Sequence, residues 1–155
     1  MPPQPIPEGY HSLNPSLAVD DAKRAIDFYK QAFGATERMI MPGPDGKIGH
    51  AELEIGDSVV MLADPMPQSA TKPPKELGGC TGGLLLYVED VDAVVQKAVD
   101  NGATIAMPVE DMFWGDRFGT ITDPFGHVWH VATHVEDVPP DEMEERAKAA
   151  MASMS

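Results

Sequence analysis

The residues of this sequence best suited to acid–base chemistry are a histidine and a glutamate two positions apart, His50 and Glu52. On a strand, residues two apart share a face, because successive side chains alternate between the two sides. An imidazole beside a carboxylate can act as a general acid–base pair. The same two residues could instead belong to a solvent-facing stripe with Glu54. The residues that alternate with them are apolar, and their packing under a helix would turn His50 and Glu52 to the open face. We therefore predict both as catalytic candidates.

Three histidines follow one another near the end of the sequence, His127, His130 and His134. Four residues of strand separate the last two by about 13 Å, at roughly 3.3 Å per residue, so they cannot share a metal ion. His127 falls on the opposite face from His130. This spacing therefore indicates no metal motif. His130 is either a ligand-binding residue or a hydrogen-bonded histidine that fills space between sheets.

An aromatic and a basic side chain flank a short turn, where Trp114 and Arg117 enclose Gly115 and Asp116. An indole and a guanidinium at the edge of a binding site suit a planar or anionic ligand. The alternative is a loop clamp in which Asp116 pairs with Arg117 and the indole packs on it. Trp129 shares the face of His127 and is predicted to lie in the core.

The elements that must position these residues occur twice in the order β-α-β-β-β. Strands are predicted at 12–19, 35–41, 48–55 and 58–63, and again at 82–88, 103–107, 116–122 and 127–133. A helix capped by Asp20 or Asp21 runs to Phe33, and a second follows Asp90 and ends at Asn101. Short sequences also recur in the same order: VDDA and VEDV, GAT and GAT, MP and MP. These repeats indicate an internal duplication of about 50 residues.

The predicted organisation has five parts. An N-terminal arm covers 1–11, the first module 12–64, a connector 65–81, the second module 82–134, and a tail 135–155 with a helix that Asp141 could cap. A single helix covers only one face of its sheet, and twist curves the sheets. We therefore predict an α+β fold, in which two βαβββ modules form curved mixed sheets around a shared cleft.

The composition disfavours some classes of binding partner. Eleven basic against 25 acidic residues give a net charge of −14, which disfavours nucleic acid and anionic membranes. This charge either serves solubility or favours a cationic ligand. No apolar run is long enough to span a membrane, and the Pro-rich start lacks the features of a signal peptide. With only one cysteine, no disulfide framework is expected, and we predict a cytoplasmic protein.

Several segments carry a family resemblance. DDAKRAIDFY at 20–29, followed by FGA at 33–35, resembles the first helix of the vicinal oxygen chelate superfamily. That superfamily includes glyoxalase I, extradiol dioxygenases, fosfomycin-resistance enzymes and bleomycin-resistance proteins. DPFGH at 123–127 resembles the turn before its last strand. GHAEL at 49–53, FWGDR at 113–117 and ATHVEDV at 132–138 resemble its PhnB-like branch.

The resemblance implies where a metal would lie. Metal-using relatives hold the ion with a histidine, glutamate or glutamine on each of four strands, and these positions fall on Asn14, Met61, Gly83 and His130. Only His130 is of a type that the family uses, and methionine is a poor ligand for hard divalent ions. We therefore predict no complete metal site and no cofactor, although a divalent metal stays an open alternative. Ligand-binding residues are predicted at Asn14, Met61, Trp114, Arg117 and His130.

Three functions fit these observations. The first is a small-molecule binder of the bleomycin-resistance kind with a degenerate metal site. The second is a glyoxalase-like lyase, isomerase or dioxygenase, in which His130 with His50 and Glu52 replaces the usual ligand set. The third is an interaction protein that uses the C-terminal helix, residues 141–151. The resemblance also implies a homodimer, since family members commonly pair modules across chains.

Overall fold

Each half of the chain begins with a short parallel strand and a helix, and continues with three antiparallel strands. The computed structural model describes residues 2–154. The first half contains β1 (Ser16–Ala18), α1 (Ala22–Phe33), β2 (Thr36–Pro42), a 3-10 turn (Pro44–Gly46), β3 (Ile48–Ile55) and β4 (Ser58–Ala63). A short helix, α2 (Pro74–Leu77), lies in the connector. The second half contains β5 (Gly83–Tyr87), α3 (Val91–Asp100), β6 (Thr104–Asp111), β7 (Asp116–Thr122) and β8 (Val128–His134). The last helix is α4 (Pro140–Ser153).

The two halves have the same sheet topology. Strand order is β1-β4-β3-β2 in one sheet and β5-β8-β7-β6 in the other. In each sheet the first strand pairs in parallel with the fourth, and the remaining neighbours are antiparallel. The sheets are open, and each belongs to its own compact unit. The first unit runs to Thr81 and includes 124–127, and the second comprises 82–123 and the chain from Val128. The predicted α+β fold of two duplicated modules is therefore confirmed.

In the first unit, α1 covers one face of its sheet. Asp21 caps the helix by accepting from the Arg24 amide at 3.2 Å, and Gly34 ends it with φ 69°, a conformation that glycine adopts without steric cost. The helix buries one apolar face, which includes Ile26, Phe28 and Tyr29. Alternate residues of β3 are buried on the same side of the sheet: Ala51, Leu53 and Ile55. The residues between them, including His50 and Glu52, therefore lie on the open face, as the alternation predicted.

In the second unit, α3 likewise covers one face of its sheet. Asp90 caps the helix by accepting from the Ala93 amide at 3.1 Å. The helix packs against β6, β7 and β8 and covers buried Ile121 and Val131. Trp129 is buried with them, and its Nε1 donates to Asp123 Oδ2 at 2.9 Å. The prediction that Trp129 belongs to the core is confirmed.

Several boundaries differ from the predictions, and three of them do so for a clear local reason. β1 is shorter than 12–19, because the Asn14 amide bonds the backbone of His11 instead of continuing a strand. β6 runs on to Asp111 through two register shifts around Met107 and Pro108, since a proline has no N–H for the ladder. The last helix begins at Pro140 and not at Asp141, because proline suits the first position of a helix.

Among residues 2–154, none of the helices has both the length and the apolar character needed to cross a bilayer.

Candidate functional site

The open face of the second sheet, away from α3, carries His130 at its centre. Its Nδ1 lies 2.9 Å from the hydroxyl of Thr120, which is its direct neighbour across β7 and β8. The imidazole also stacks on Phe118, with ring centroids 5.5 Å apart and planes 21° apart. A Cβ added to Gly83 would come within 2.9 Å of His130 Nε2. The missing side chain on β5 therefore lets the imidazole lie over that strand.

A buried carboxylate organises the end of the same face. Asp116 is only 3% exposed, and its Oδ2 accepts from Tyr87 Oη at 2.8 Å and from Trp114 Nε1 at 3.1 Å. Its Oδ1 lies 2.8 Å from His134 Nδ1. Burial would raise the pKa of Asp116, but the hydrogen bonds from His134, Tyr87 and Trp114 outweigh it and lower the pKa. The group is thus a fixed anion with its oxygens engaged, and it orients the indole.

His134 connects this carboxylate to the segment that follows β8. Its Nε2 lies 2.7 Å from Asp137 Oδ1, while Nδ1 faces Asp116. The hydrogen bonds to Asp116 and then Asp137 raise the pKa of His134, because each favours the protonated imidazole. A histidine held between two carboxylates changes its charge at a higher pH than a free one.

The aromatic side chains of this face form a row. The ring of Trp114 meets Phe118 edge-on at 5.5 Å, and Phe118 stacks on His130. All three are half-buried, so part of each ring is exposed. We call Trp114, Phe118 and His130 the ring row. Flat rings beside oriented polar groups are the usual lining of a small-molecule site.

The open face of the first sheet carries a different, acid–base cluster. Glu52 is 5% exposed, accepts from the hydroxyl of Tyr10, and lies 2.8 Å from His50 Nε2. Arg38 Nε is 3.7 Å from the same carboxylate, and its guanidinium lies over the Tyr10 ring at 5.0 Å. Hydrogen bonds from Tyr10 and then from His50 lower the pKa of Glu52, and the Glu52 bond raises the pKa of Tyr10. Glu52 can therefore orient His50, which is the better candidate for exchanging a proton.

The four positions carried over from the family resemblance form two equivalent pairs. Met61 pairs with Ser16 and Glu52 in the first sheet, as His130 pairs with Leu85 and Thr120 in the second. Asn14 lies two residues before Ser16, the parallel-strand partner of Met61, and Gly83 lies two residues before Leu85, the parallel-strand partner of His130. The duplication thus places Met61 and His130 at matching points of the two open faces.

These four residues do not fit a divalent metal ion. The Asn14 amide is occupied by His11, donating to its carbonyl at 2.7 Å and accepting from its amide at 3.1 Å. Gly83 has no side-chain donor atom, and the side chain of Met61 offers only a thioether, a soft ligand. Within the described part of the chain, residues 2–154, no three His, Cys, Asp or Glu side chains converge in a way that could hold a metal. We therefore assign no step to a metal.

Arg117 lies on the other side of β7 from the ring row, since it alternates with Asp116 and Phe118. Its guanidinium donates to both carboxylate oxygens of Asp92, at 2.7 and 3.0 Å, and to Asp111 at 3.2 Å. The structure thus does not bring Arg117 together with Trp114 or His130, and its binding role stays a prediction. The predicted alternative, a loop clamp between Asp116 and Arg117, is not what the structure shows either. Trp114 does contact Asp116, but Arg117 bonds to Asp92 and Asp111.

Sequence reasoning did not identify five residues of these faces: Tyr10, Arg38, Tyr87, Phe118 and Thr120. The signal for two of them was present, because Asp116, Phe118 and Thr120 alternate along one strand. No local sequence signal indicated Tyr10 or Tyr87. Tyr10 bonds to Glu52, 42 residues away, and Tyr87 bonds to Asp116, 29 residues away.

A depression of about 470 Å3 lies elsewhere on the first unit, between α1 and β2. It is lined by Ile26, Ile40 and Ile48 and by exposed charged side chains such as Lys23 and Glu37. None of the predicted site residues lines it. Its position does not support the predicted site.

Comparison with known proteins agrees with the fold. Residues 11–131 match the model of the Glyoxalase/Bleomycin resistance protein/Dioxygenase superfamily. An uncharacterized protein of Mycobacterium tuberculosis is 47% identical over 145 residues, which cover 92% of this chain and 83% of that protein. The crystal structure of a gene product of Arabidopsis thaliana, 31% identical, superposes with a TM-score of 0.63 over 79% of this chain and 98% of its own. TioX from Micromonospora sp. ML1, 28% identical, gives a TM-score of 0.61 over 80% and 100%.

The family match spans both βαβββ units except for the end of β8, and the relatives reproduce the same fold over most of the chain. The chain belongs to the glyoxalase/bleomycin resistance/dioxygenase superfamily, the vicinal oxygen chelate group that its motifs resemble.

Proposed function

We propose that this protein binds a small organic molecule on the open face of its second sheet, against the ring row. The observation that carries the proposal is the fixed arrangement of Trp114, Phe118 and His130, each held by a contact within the protein. A site whose side chains are already in place loses little entropy on binding. His130 Nε2 makes no hydrogen bond to any residue between 2 and 154, so it can contact a ligand.

The rings of this face favour a ligand with a planar apolar part, and the acidic charge of the chain favours a cationic one. Flat molecules stack on aromatic rings, and the net charge of −14 attracts cations over anions. This is a bleomycin-resistance-like binding function in the PhnB-like branch. Binding roles for Asn14, Met61 and Arg117, and a cleft shared by the two sheets, stay predictions.

The test is a binding titration with three probes: bleomycin, the planar cation ethidium, and the planar anion 8-anilinonaphthalene-1-sulfonate. We expect the cations to raise the melting temperature and the anion to have less effect. His130→Ala should weaken ethidium binding by about fivefold to tenfold, the equivalent of one lost ring contact. His11→Ala, an exposed histidine of the N-terminal arm, serves as the matched control. Equal affinities of the two variants would refute the site.

A second candidate function rests on the cluster around Glu52. His50 is bonded through Nε2 to a buried carboxylate, an arrangement that orients an imidazole for proton transfer. This observation favours a glyoxalase-like lyase or isomerase over a dioxygenase, because an oriented imidazole supplies proton transfer and not oxygen activation. An assay with methylglyoxal and glutathione tests it, and turnover should fall more than tenfold in His50→Gln. Turnover that His50→Gln leaves unchanged would remove this candidate.

We also propose that the protein is cytoplasmic and forms a homodimer. The edge strands β2 and β6 expose apolar side chains that are 41–53% exposed: Met39, Ile40 and Met41 on β2, and Ile105 and Met107 on β6. Contact with a second copy would cover such residues. Sedimentation at micromolar concentration should give a dimer, and Ile105→Glu should shift it toward monomer. A native monomer at that concentration would contradict the proposal.

A further inference from the structure

The segment that follows β8 returns to the loop between β6 and β7, residues 112–115, which carries Trp114. The amides of Val135 and Glu136 both donate to the carbonyl of Gly115, at 2.9 and 3.0 Å. The loop itself is closed by Met112 N, which donates to Asp116 O at 2.8 Å. The loop is therefore bonded on one side to its own hairpin and on the other to the C-terminal segment.

The contact at Gly115 is too close for any other residue. Gly115 has φ +100°, and a Cβ built there would lie 2.2 Å from the carbonyl oxygen of Glu136. This backbone approach leaves the loop no room to move toward the segment. The position of the loop thus depends on where the C-terminal segment is held.

Arg146 on α4 holds that segment and the loop together. Its guanidinium makes a two-pronged pair with Glu136, at 2.8 and 2.9 Å, and donates to the carbonyl of Phe113 at 3.1 Å. It also pairs with Glu142 on its own helix at 2.7 Å. A planar guanidinium with two parallel bonds to a carboxylate fixes geometry better than a single ion pair does.

The contacts continue from the loop to the ring row. Phe113 meets Trp114 edge-on at 5.1 Å, and the indole is fixed by Phe118 and by its bond to Asp116. We propose that Arg146 is a positioning residue, and that α4 sets the place of Trp114 in the ring row. This inference rests on the proposed ligand site, and it makes the C-terminal helix part of that site instead of an independent partner-binding element.

A second cation on the same helix provides a comparison. Within the described residues, Lys148 pairs only with Glu144, at 3.0 Å, and the two side chains are 74% and 69% exposed. Such exposed pairs along a helix contribute little to stability. Lys148→Ala therefore changes the charge of α4 as Arg146→Ala does, while leaving the loop contacts in place.

The first test needs no ligand. The chain has two tryptophans, so its NMR spectrum contains two indole N–H signals, which Trp114→Phe assigns. We expect Arg146→Ala to shift the Trp114 signal and to speed its hydrogen exchange by about threefold or more, as for a loosened loop. The signal of Trp129, buried and bonded to Asp123, should stay unchanged and report that the fold is intact. Arg146→Lys should fall between native protein and Arg146→Ala, and Lys148→Ala should match native protein.

The second test is ethidium affinity in the same variants. Arg146→Ala should weaken binding by about threefold to fivefold and Trp114→Phe by a similar factor, with the double variant no weaker than either alone. An unshifted Trp114 indole in Arg146→Ala would overturn the proposal, and so would a shifted indole with unchanged affinity. If native protein bound no ethidium, the proposed ligand site would fail, while the indole experiment alone would decide whether Arg146 positions Trp114.

Discussion

Replacing Asp116 with asparagine tests whether this carboxylate organises the second unit. The substitution keeps the size of the side chain but removes its charge, and it places an NH2 group where one oxygen now accepts. Three donors converge on that carboxylate, from Tyr87, Trp114 and His134, at 2.8 to 3.1 Å. A hydrogen bond to a charged group contributes about 1.5–3 kcal/mol, and asparagine retains one acceptor. We therefore expect a loss of about 2 kcal/mol in the free energy of unfolding.

Urea unfolding, followed by circular dichroism, gives this quantity as a change of midpoint at constant slope. Asp111→Asn is the matched control, since Asp111 is exposed and, among residues 2–154, forms an ion pair only with Arg117. The control should lose less than about 0.5 kcal/mol, as exposed ion pairs do. Equal losses in the two variants would refute the view that Asp116 is an organising group.

The difference between native protein and Asp116→Asn should also depend on pH. The pKa of Asp116 is lowered by folding, so its contribution is present above the unfolded value of about 3.9 and is lost as the pH falls through the folded value. The pKa of His134 is raised, so its contribution is full below about 6.5 and is lost as the pH rises through the folded value. The stability gap should be widest between about pH 4 and 6.5. A gap that is constant from pH 3 to 9 would contradict this linkage.

Three further substitutions have defined outcomes. Gly83→Ala should displace the imidazole that lies over it, at 2.9 Å from the new Cβ, and lower the free energy of unfolding by about 1–3 kcal/mol. A Cβ added at Gly82 has no atom of residues 2–154 within 4 Å, so Gly82→Ala should be tolerated in the same urea assay. Glu52→Gln should cost about 1–2 kcal/mol against little for exposed Glu54→Gln. Because folding lowers the pKa of Glu52, this gap should close as the pH falls through the folded value, and a gap that persists in acid would argue against an ionised Glu52. Gly115→Ala should abolish cooperative thermal unfolding, or lower the melting temperature by about 10 °C or more, given a positive φ and a 2.2 Å clash; normal melting would contradict the loop geometry.

The sequence predicted features that depend on neighbouring residues. Asp21 and Asp90 cap their helices because a carboxylate reaches an amide three residues on, a contact that needs no tertiary structure. Alternation correctly divided β3 between a buried and an open side, since the strand period is two. The repeated segments predicted the second unit from the first, and its topology is the same.

The parts that sequence reasoning missed depend on contacts between distant residues. Asp116 receives Tyr87 from another strand, and Glu52 receives Tyr10 from the N-terminal arm, so neither cluster leaves a local pattern. Arg117 shows a second reason. The face of a strand residue is fixed by register, and a one-residue difference exchanges the two sides. Proximity to Trp114 along the chain therefore did not place the guanidinium beside the indole.

The glycine beneath the imidazole has a consequence for how this fold changes its chemistry over evolution. A ligating side chain at position 83, as in metal-using relatives of the family, would occupy the space where the ring of His130 now lies. A side chain at position 83 excludes the present orientation of the imidazole, and Asn14 and Met61 do not suit a metal either, so one substitution would not create a metal centre here. The imidazole of His130 would have to adopt another orientation, and it would then lose its contacts with Phe118 and Thr120.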